Sequence, residues 1–166
     1  LRKGDYDLFG SSLFYTMPRA LVISYVGPLW RKGRLALTHK DYAHKFKSEA
    51  DFNGSDITWS YVGGSAEENW VTTSYPDSKR VAIQGQEVMA MEMVRNKRAH
   101  LYGSGETTIR IYAAKNKNWA HIVNEPNSIG LAPNTWAIRY GDPEWKTFLD
   151  FYASHLVTSG YMKERY

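Results

Sequence analysis

The side chains best equipped for chemistry stand close together near the start of the chain. They are Ser11, Ser12, Thr16 and Arg19, within Gly10-Ser11-Ser12-Leu13-Phe14-Tyr15-Thr16-Met17-Pro18-Arg19-Ala20. A guanidinium is a planar fork of donors that matches a carboxylate, and the hydroxyls and backbone N–H groups add lesser donors. Thr16 can N-cap a short helix with Pro18 in its first turn, where a missing N–H costs nothing. Arg19 then falls beside the positive end of that helix, a poor place for a cation unless an anion lies nearby. An arginine paired with a neighbouring Asp, or simply solvated, is the plain alternative. The second informative stretch is Gly63-Gly64-Ser65-Ala66-Glu67-Glu68. Ser65 caps a helix, Glu68 can return a bond to the Ser65 N–H, and the glycines leave N–H groups open to an anion. Glu67 and Glu68 oppose that use, since they already place negative charge in the first turn. A well-capped turn is the plain alternative here.

These residues need elements to position them. Period-2 and aromatic runs predict strands over 6–9, 22–25, 34–39, 57–61, 79–83, 99–103, 119–123 and 135–139. Helical spacing predicts helices over 65–73 and 86–95, the latter with Val88, Met91 and Val94 on one face, and another starting at Gly105-Glu106-Thr107. Residues 41–47 read as loop with a helical turn, and 46–54 as a further turn of helix. Asp142-Pro143-Glu144 is a strong helix start, and Trp145, Phe148, Leu149, Tyr152 and Leu156 then mark one amphipathic face. Ser159-Gly160 closes that helix and Tyr161 opens a last helical turn through Glu164. Strands alternating with helices predict an α/β fold with largely parallel pairing.

Composition narrows the function. Apolar residues make up 43% of 166 residues, enough for a buried core, and no apolar run approaches the roughly 20 residues of a spanning helix. The net charge of +4 is mild, and the basic runs Arg31-Lys32-Gly33-Arg34 and Arg95-Asn96-Lys97-Arg98 are short, which argues against nucleic acid, as the lack of a long apolar run argues against membrane insertion. The absence of Cys removes disulfides, thiolate metal sites and Cys nucleophiles. No Ser-His-Asp order, metal-ligand spacing or phosphate loop is visible, so neither catalysis nor a cofactor or metal is expected.

The run Gly4-Asp5-Tyr6-Asp7-Leu8, Ser11-Ser12, Thr16-Met17-Pro18-Arg19-Ala20 and Tyr25-Val26-Gly27-Pro28-Leu29 resembles one family signature. Gly63-Gly64-Ser65, Gly141-Asp142-Pro143-Glu144 and Ser159-Gly160-Tyr161-Met162 extend the likeness along essentially the whole chain. The family is the bacterial extracellular solute-binding proteins of the amino-acid-binding type. The resemblance implies a two-lobed periplasmic-binding-protein-like fold of type II, located in the periplasm. It implies lobe one from residues 1–33 and 134–166, without its N-terminal part, and lobe two from 34–133. It implies a non-catalytic module whose inter-lobe cleft takes a small anionic or aromatic ligand or a partner segment. Ser11, Ser12, Phe14, Thr16, Arg19, Gly64, Ser65 and Glu106 are the ligand-binding residues it implies, with Tyr15 or Trp59 as aromatic walls.

The chain also departs from that pattern. Gly105 stands where amino-acid binders carry an Asp for the ligand's ammonium group, and His100 likewise replaces an Asp. Glu106 is one residue on and is expected to point elsewhere along its helix. Phe14 replaces a small or hydroxyl residue. These departures resemble the accessory proteins of quinoprotein methanol dehydrogenases, which implies a periplasmic dehydrogenase as partner and no response to common α-amino acids. Gly63-Gly64-Ser65 followed by acids also resembles cyclohexadienyl dehydratases, with Glu106 and His100 as the candidate acid and base.

Overall fold

The structure is a computed structural model that describes residues 1, 3–123 and 125–162. In order, its elements are β1 (Leu8–Phe14), α1 (Met17–Ala20), β2 (Ser24–His39), two 3-10 turns (Lys40–Lys45 and Glu49–Phe52), β3 (Thr58–Val62), α2 (Ala66–Ser74), β4 (Lys79–Ile83), α3 (Glu87–Arg95), β5 (Leu101–Gly105), α4 (Glu106–Lys115), β6 (Ala120–Val123), β7 (Leu131–Ile138) and α5 (Pro143–Thr158). The chain divides into two compact units. The first comprises Leu1–Lys32 and Ala132–Tyr166, the second Gly33–Leu131.

In the first unit β7 lies beside β1, antiparallel, with Leu8 opposite Ile138 and Phe14 opposite Asn134. The register shifts between Phe9 and Leu13, at Gly10-Ser11-Ser12. Those serines are therefore strand residues at an irregularity, not a free loop as the sequence suggested. Leu13 and Phe14 rejoin the ladder, and the Thr135 hydroxyl donates to the Leu13 carbonyl at 3.0 Å. The strands expected at 22–25 and 34–39 are one strand, β2. Gly27 turns its N–H to Asp150 Oδ1 at 3.3 Å and Pro28 has none, so both leave the ladder without ending the strand. The core gathers Val26, Leu29, Ile138, Leu149, Ala153 and Met162. The inward face of α5 is thus Leu149 and Ala153, with Trp145 and Leu156 partly buried. Phe148 is 56% and Tyr152 43% exposed, against the expected stripe. Small Ala153 lets the helix sit close on that side and rotates the two rings outward. Of the last turn, Tyr161 and Met162 are helical, while residues 163–166 lie outside the described residues.

In the second unit β3 is parallel to both β4 and β5. β2 pairs antiparallel with β5 and with β6, so among the described pairings parallel ones are confined to three strands. Connections through helices give those three. Alternation along the strands separates two cores. Trp59, Tyr61 and Leu101 meet Phe52, Trp70, Val71 and Tyr75 on the α2 side. Tyr102, Leu35 and Leu37 meet Ala90, Met91, Val94 and Ile109 on the side of α3 and α4. Val88, expected inside, is 44% exposed, and Ala90 is buried instead. Gly103 is needed for close approach, since a Cβ there would meet Trp70 Cζ3 at 2.3 Å.

Candidate functional site

The first unit carries the hydroxyl and guanidinium group. Thr16 occupies the N-cap position of α1, yet its hydroxyl makes no cap bond. Its backbone is held by Tyr25, whose hydroxyl accepts from the Thr16 N–H at 3.1 Å and donates to its carbonyl at 3.4 Å. The Tyr15 and Tyr25 rings pack at 4.4 Å. Tyr25 was not singled out from sequence, although its place in the motif run was visible. Arg19 lies in the last turn of α1, not beside its start. A cation is favourable there, so the argument from a misplaced charge fails. Half-buried Arg19 donates from Nη1 to the Phe14 carbonyl at 3.5 Å and makes no ion pair among the described residues. The guanidinium therefore keeps donors for a ligand. Ser12 donates to Oδ1 of fully buried Asn134 and is largely committed. Exposed Ser11 opens, with Trp30, Lys32, Trp136 and Tyr152, onto a groove of about 540 Å³.

The second unit presents its candidates at one end of the parallel strands. β3 leads into α2 on one face, and its neighbour β5 leads into α4 on the other. Adjacent parallel strands whose connections leave to opposite faces open a crevice beyond their C-terminal ends. Gly63-Gly64-Ser65 and Gly105-Glu106 form its two sides. Gly64 has φ +74°, a conformation few other residues adopt. Its N–H donates to Glu68 Oε2 at 2.6 Å, where sequence had assigned that carboxylate to the Ser65 N–H. Ser65 Oγ accepts from the Glu68 N–H at 3.2 Å, as expected of the cap. The Ser65 N–H itself goes to the Val62 carbonyl at 3.2 Å and that of Gly63 to Ile83 at 3.0 Å. All three N–H groups are spent, so the turn is not open to an anion.

Acids dominate what remains. Glu106 accepts from the Ser128 hydroxyl at 2.9 Å. Gly33 makes room for that pair, because a Cβ there would meet Ser128 Oγ at 2.1 Å and Glu106 Oε2 at 3.0 Å. Arg34 stands opposite Gly105 in the β2–β5 ladder, with its guanidinium 5.1 Å from the centre of the Trp70 ring. Burial pushes Arg34 below its usual range, and the charge of Glu67 opposes this. Glu87 is held above the carboxylate range by desolvation of its carboxyl and by Glu67. Burial, with Glu87 next, pushes the Tyr102 hydroxyl up, so it stays a neutral donor. An environment of this kind favours a cation.

Two sequence candidates fall away from the site. Trp59 is fully buried and donates from Nε1 to the Phe52 carbonyl at 3.1 Å, so it walls no cleft. His100 precedes β5, and its Nδ1 accepts from the Thr58 N–H at 3.1 Å at the start of β3. Glu106 follows the other end of β5, roughly 16 Å away along an extended strand. The two do not form an acid–base pair. Among the described residues no group of three or more His, Asp or Glu side chains is placed to hold a metal, and no helix is long and apolar enough to cross a membrane.

No protein-family model and no curated protein sequence matches the chain. Solved structures do. The ancestral amino acid-binding protein AncCDT-1, described as a precursor of cyclohexadienyl dehydratase, is 24% identical with a TM-score of 0.79, over 99% of this chain and 69% of that one. A protein from Wolinella succinogenes, described as a binding component of an ABC transporter and complexed with lysine, is 21% identical with a TM-score of 0.83, over 99% and 70%. An amino acid ABC transporter substrate-binding protein from Streptococcus pneumoniae, bound to L-arginine, is 19% identical with a TM-score of 0.79, over 99% and 67%. These likenesses establish the fold. It is the two-lobed periplasmic-binding-protein fold of type II.

Proposed function

We propose that this chain is a periplasmic binding module that takes a small solute of the amino-acid type and performs no reaction on it. The observation that carries this reading is the crevice beyond the C-terminal ends of β3 and β5, flanked by Glu67 and Glu106 in the first turns of α2 and α4, in a fold whose solved relatives are described with bound lysine and L-arginine. Arg19 is the proposed anion contact, and Ser11 a further candidate from its exposed place on the groove of the first unit. The backbone N–H groups of Gly64 and Ser65 and the Ser12 hydroxyl are already committed, and Phe14 and Thr16 position Arg19. The sequence-based expectation of an anionic or aromatic ligand is set aside, since those named ligands are neither and the second unit is acidic. The loss of an Asp at Gly105 no longer argues against amino acids, because Glu67 and Glu106 supply carboxylates at the same crevice. No observation favours the dehydrogenase-partner reading. The separation of His100 from Glu106 removes the acid–base pair on which the dehydratase reading rested.

A thermal scan of the full chain against the common α-amino acids tests this. A ligand at 100 times its Kd stabilises by about 2.7 kcal/mol, and at least one amino acid is expected to do so. Arg19→Met should abolish that shift while leaving the ligand-free Tm in place, a loss of about 2–5 kcal/mol in affinity if the pair is desolvated. No shift with any amino acid would sink the reading.

A further inference from the structure

We propose that the end of the second unit opposite the crevice is a cationic face that adsorbs to an anionic phospholipid surface. This stands independently of the solute reading. The strand registers bring one set of chain segments together at that end. β2 finishes at His39, opposite Ala120 at the start of β6, and Thr38 lies opposite Leu101 at the start of β5. Lys40 and Lys45 follow β2, Lys97 and Arg98 precede β5, and Lys115 and Lys117 precede β6. All six are exposed. Lys97 pairs with Asp41, and the other five make no ion pair among the described residues. Arg95 and Glu92 offset each other at the end of α3. The remaining acids at this end, Asp56 and Asp77, precede β3 and β4, away from the β2–β6 edge.

The rest of the face says what it fits. Its rings turn toward one another: His39 stacks on Trp119 at 5.9 Å, and Tyr42 lies 4.9 Å from His100. Trp119 is buried and Tyr42 partly so, which leaves neither as a platform for nucleic-acid bases. Five of the six cations are lysines, point charges without the fork that reads base edges. The exposed large apolar residues of this unit are Val88, Met89, Ile111 and Leu131, and none lies in these segments. A protein partner would therefore find no apolar anchor here. Dispersed point charges without an anchor match a surface of many equivalent anions, held by charge alone. Glu67, Glu68 and Glu106 start α2 and α4 at the other end, where the same surface repels them. Adsorption thus turns the crevice outward.

The experiment is cosedimentation of the full chain with vesicles of phosphatidylcholine, alone or with about one part in three of phosphatidylglycerol, at low salt and at about 0.5 M salt. The chain should bind only the anionic vesicles and leave them at high salt. Lys40→Gln combined with Lys117→Gln should weaken binding about twenty-fivefold, at about fivefold per lysine. Lys3→Gln combined with Arg31→Gln removes the same charge from exposed positions in the first unit and should change binding by less than about threefold. Circular dichroism checks that both variants are folded. Equal binding to the two kinds of vesicle, or binding that persists at high salt, would overturn the inference. Equal losses in the two double variants would overturn the assignment to this face. Tighter binding to duplex DNA than to the anionic vesicles at the same salt would overturn the choice of partner. None of these outcomes bears on amino-acid binding, which the thermal scan reads separately.

Discussion

The two units use aromatic residues in opposite ways. In the second, Phe52, Trp59, Trp70 and Tyr75 close on one another inside, with Trp59 stacked on Tyr75 at 5.1 Å and edge-on to Phe52 at 5.8 Å. In the first, Trp136, Tyr152, Phe148 and Trp145 form a ladder along α5, with ring centres 6.3, 6.3 and 5.5 Å apart. That ladder flanks an aliphatic core and is largely open to solvent. Aromatic content alone does not say where rings go. A sheet with helices on both faces encloses its rings, whereas a helix packed through Leu149 and Ala153 leaves its flanks outside. Charge divides in the same way, with free guanidinium donors on Arg19 in the first unit and buried Glu67 in the second.

The largest effect that sharpens this contrast is expected from Trp59→Ala. Removing a fully buried ring and its bond to Phe52 should destabilise by about 3–5 kcal/mol in urea titration. A cost under about 1 kcal/mol would mean the enclosed rings are not what holds the second unit together. In the first unit Tyr25→Phe should cost about 1–2 kcal/mol. It strips the Thr16 N–H and carbonyl of their partner, and Thr16 is only 8% exposed. A neutral result by the same titration would show that water replaces the hydroxyl and that α1 is not anchored there.

His100 gives the second unit a pH dependence of its own. Its Nδ1 accepts a backbone N–H and so must stay unprotonated. Burial holds the ring below the usual histidine range, Lys45 and Lys79 add to this, and Asp56 opposes it. The unfolded chain therefore binds the proton first as pH falls. This contribution is complete above about pH 6.5 and declines below it toward the folded value. Urea midpoints between pH 7 and pH 5 should fall for the parent and fall less for His100→Gln. Parallel slopes would remove His100 as the source.

Much of this was legible in the sequence, for reasons that also explain the failures. The fold class and the order of elements followed from periodicity and from strong punctuation such as Asp142-Pro143-Glu144, whose Asp142 does cap α5 through the Trp145 N–H at 2.9 Å. β2 was broken in two because Gly27-Pro28 reads as a stop, and only the partner Asp150, far along the chain, shows otherwise. The site was legible as a set of loops but not as chemistry. Glu68 chose Gly64 over Ser65, and Ser128 claimed Glu106 across a gap that Gly33 leaves open. Spacing along the chain records neither choice. Glu67 was noticed only as a helix-start charge, because its burial is a property of the folded state.

The smallest effect is the one that most directly challenges the opening contrast. Phe148 lies between Trp145 and Tyr152 in the ladder, its ring parallel to that of Tyr152 at an interplanar angle of 1°. Its 56% exposure leaves little area to lose, and stacking beyond that area contributes on the order of 0.5–1.5 kcal/mol per pair at best. Phe148→Ala should therefore cost under about 1 kcal/mol, with α5 held by Leu149 and Ala153 as before. Alanine also has the better helix propensity, which offsets part of the loss. A cost near that of Trp59→Ala would mean the outer ladder carries as much packing in solution as the enclosed cluster, and the two units would then differ in exposure but not in what their aromatic residues do.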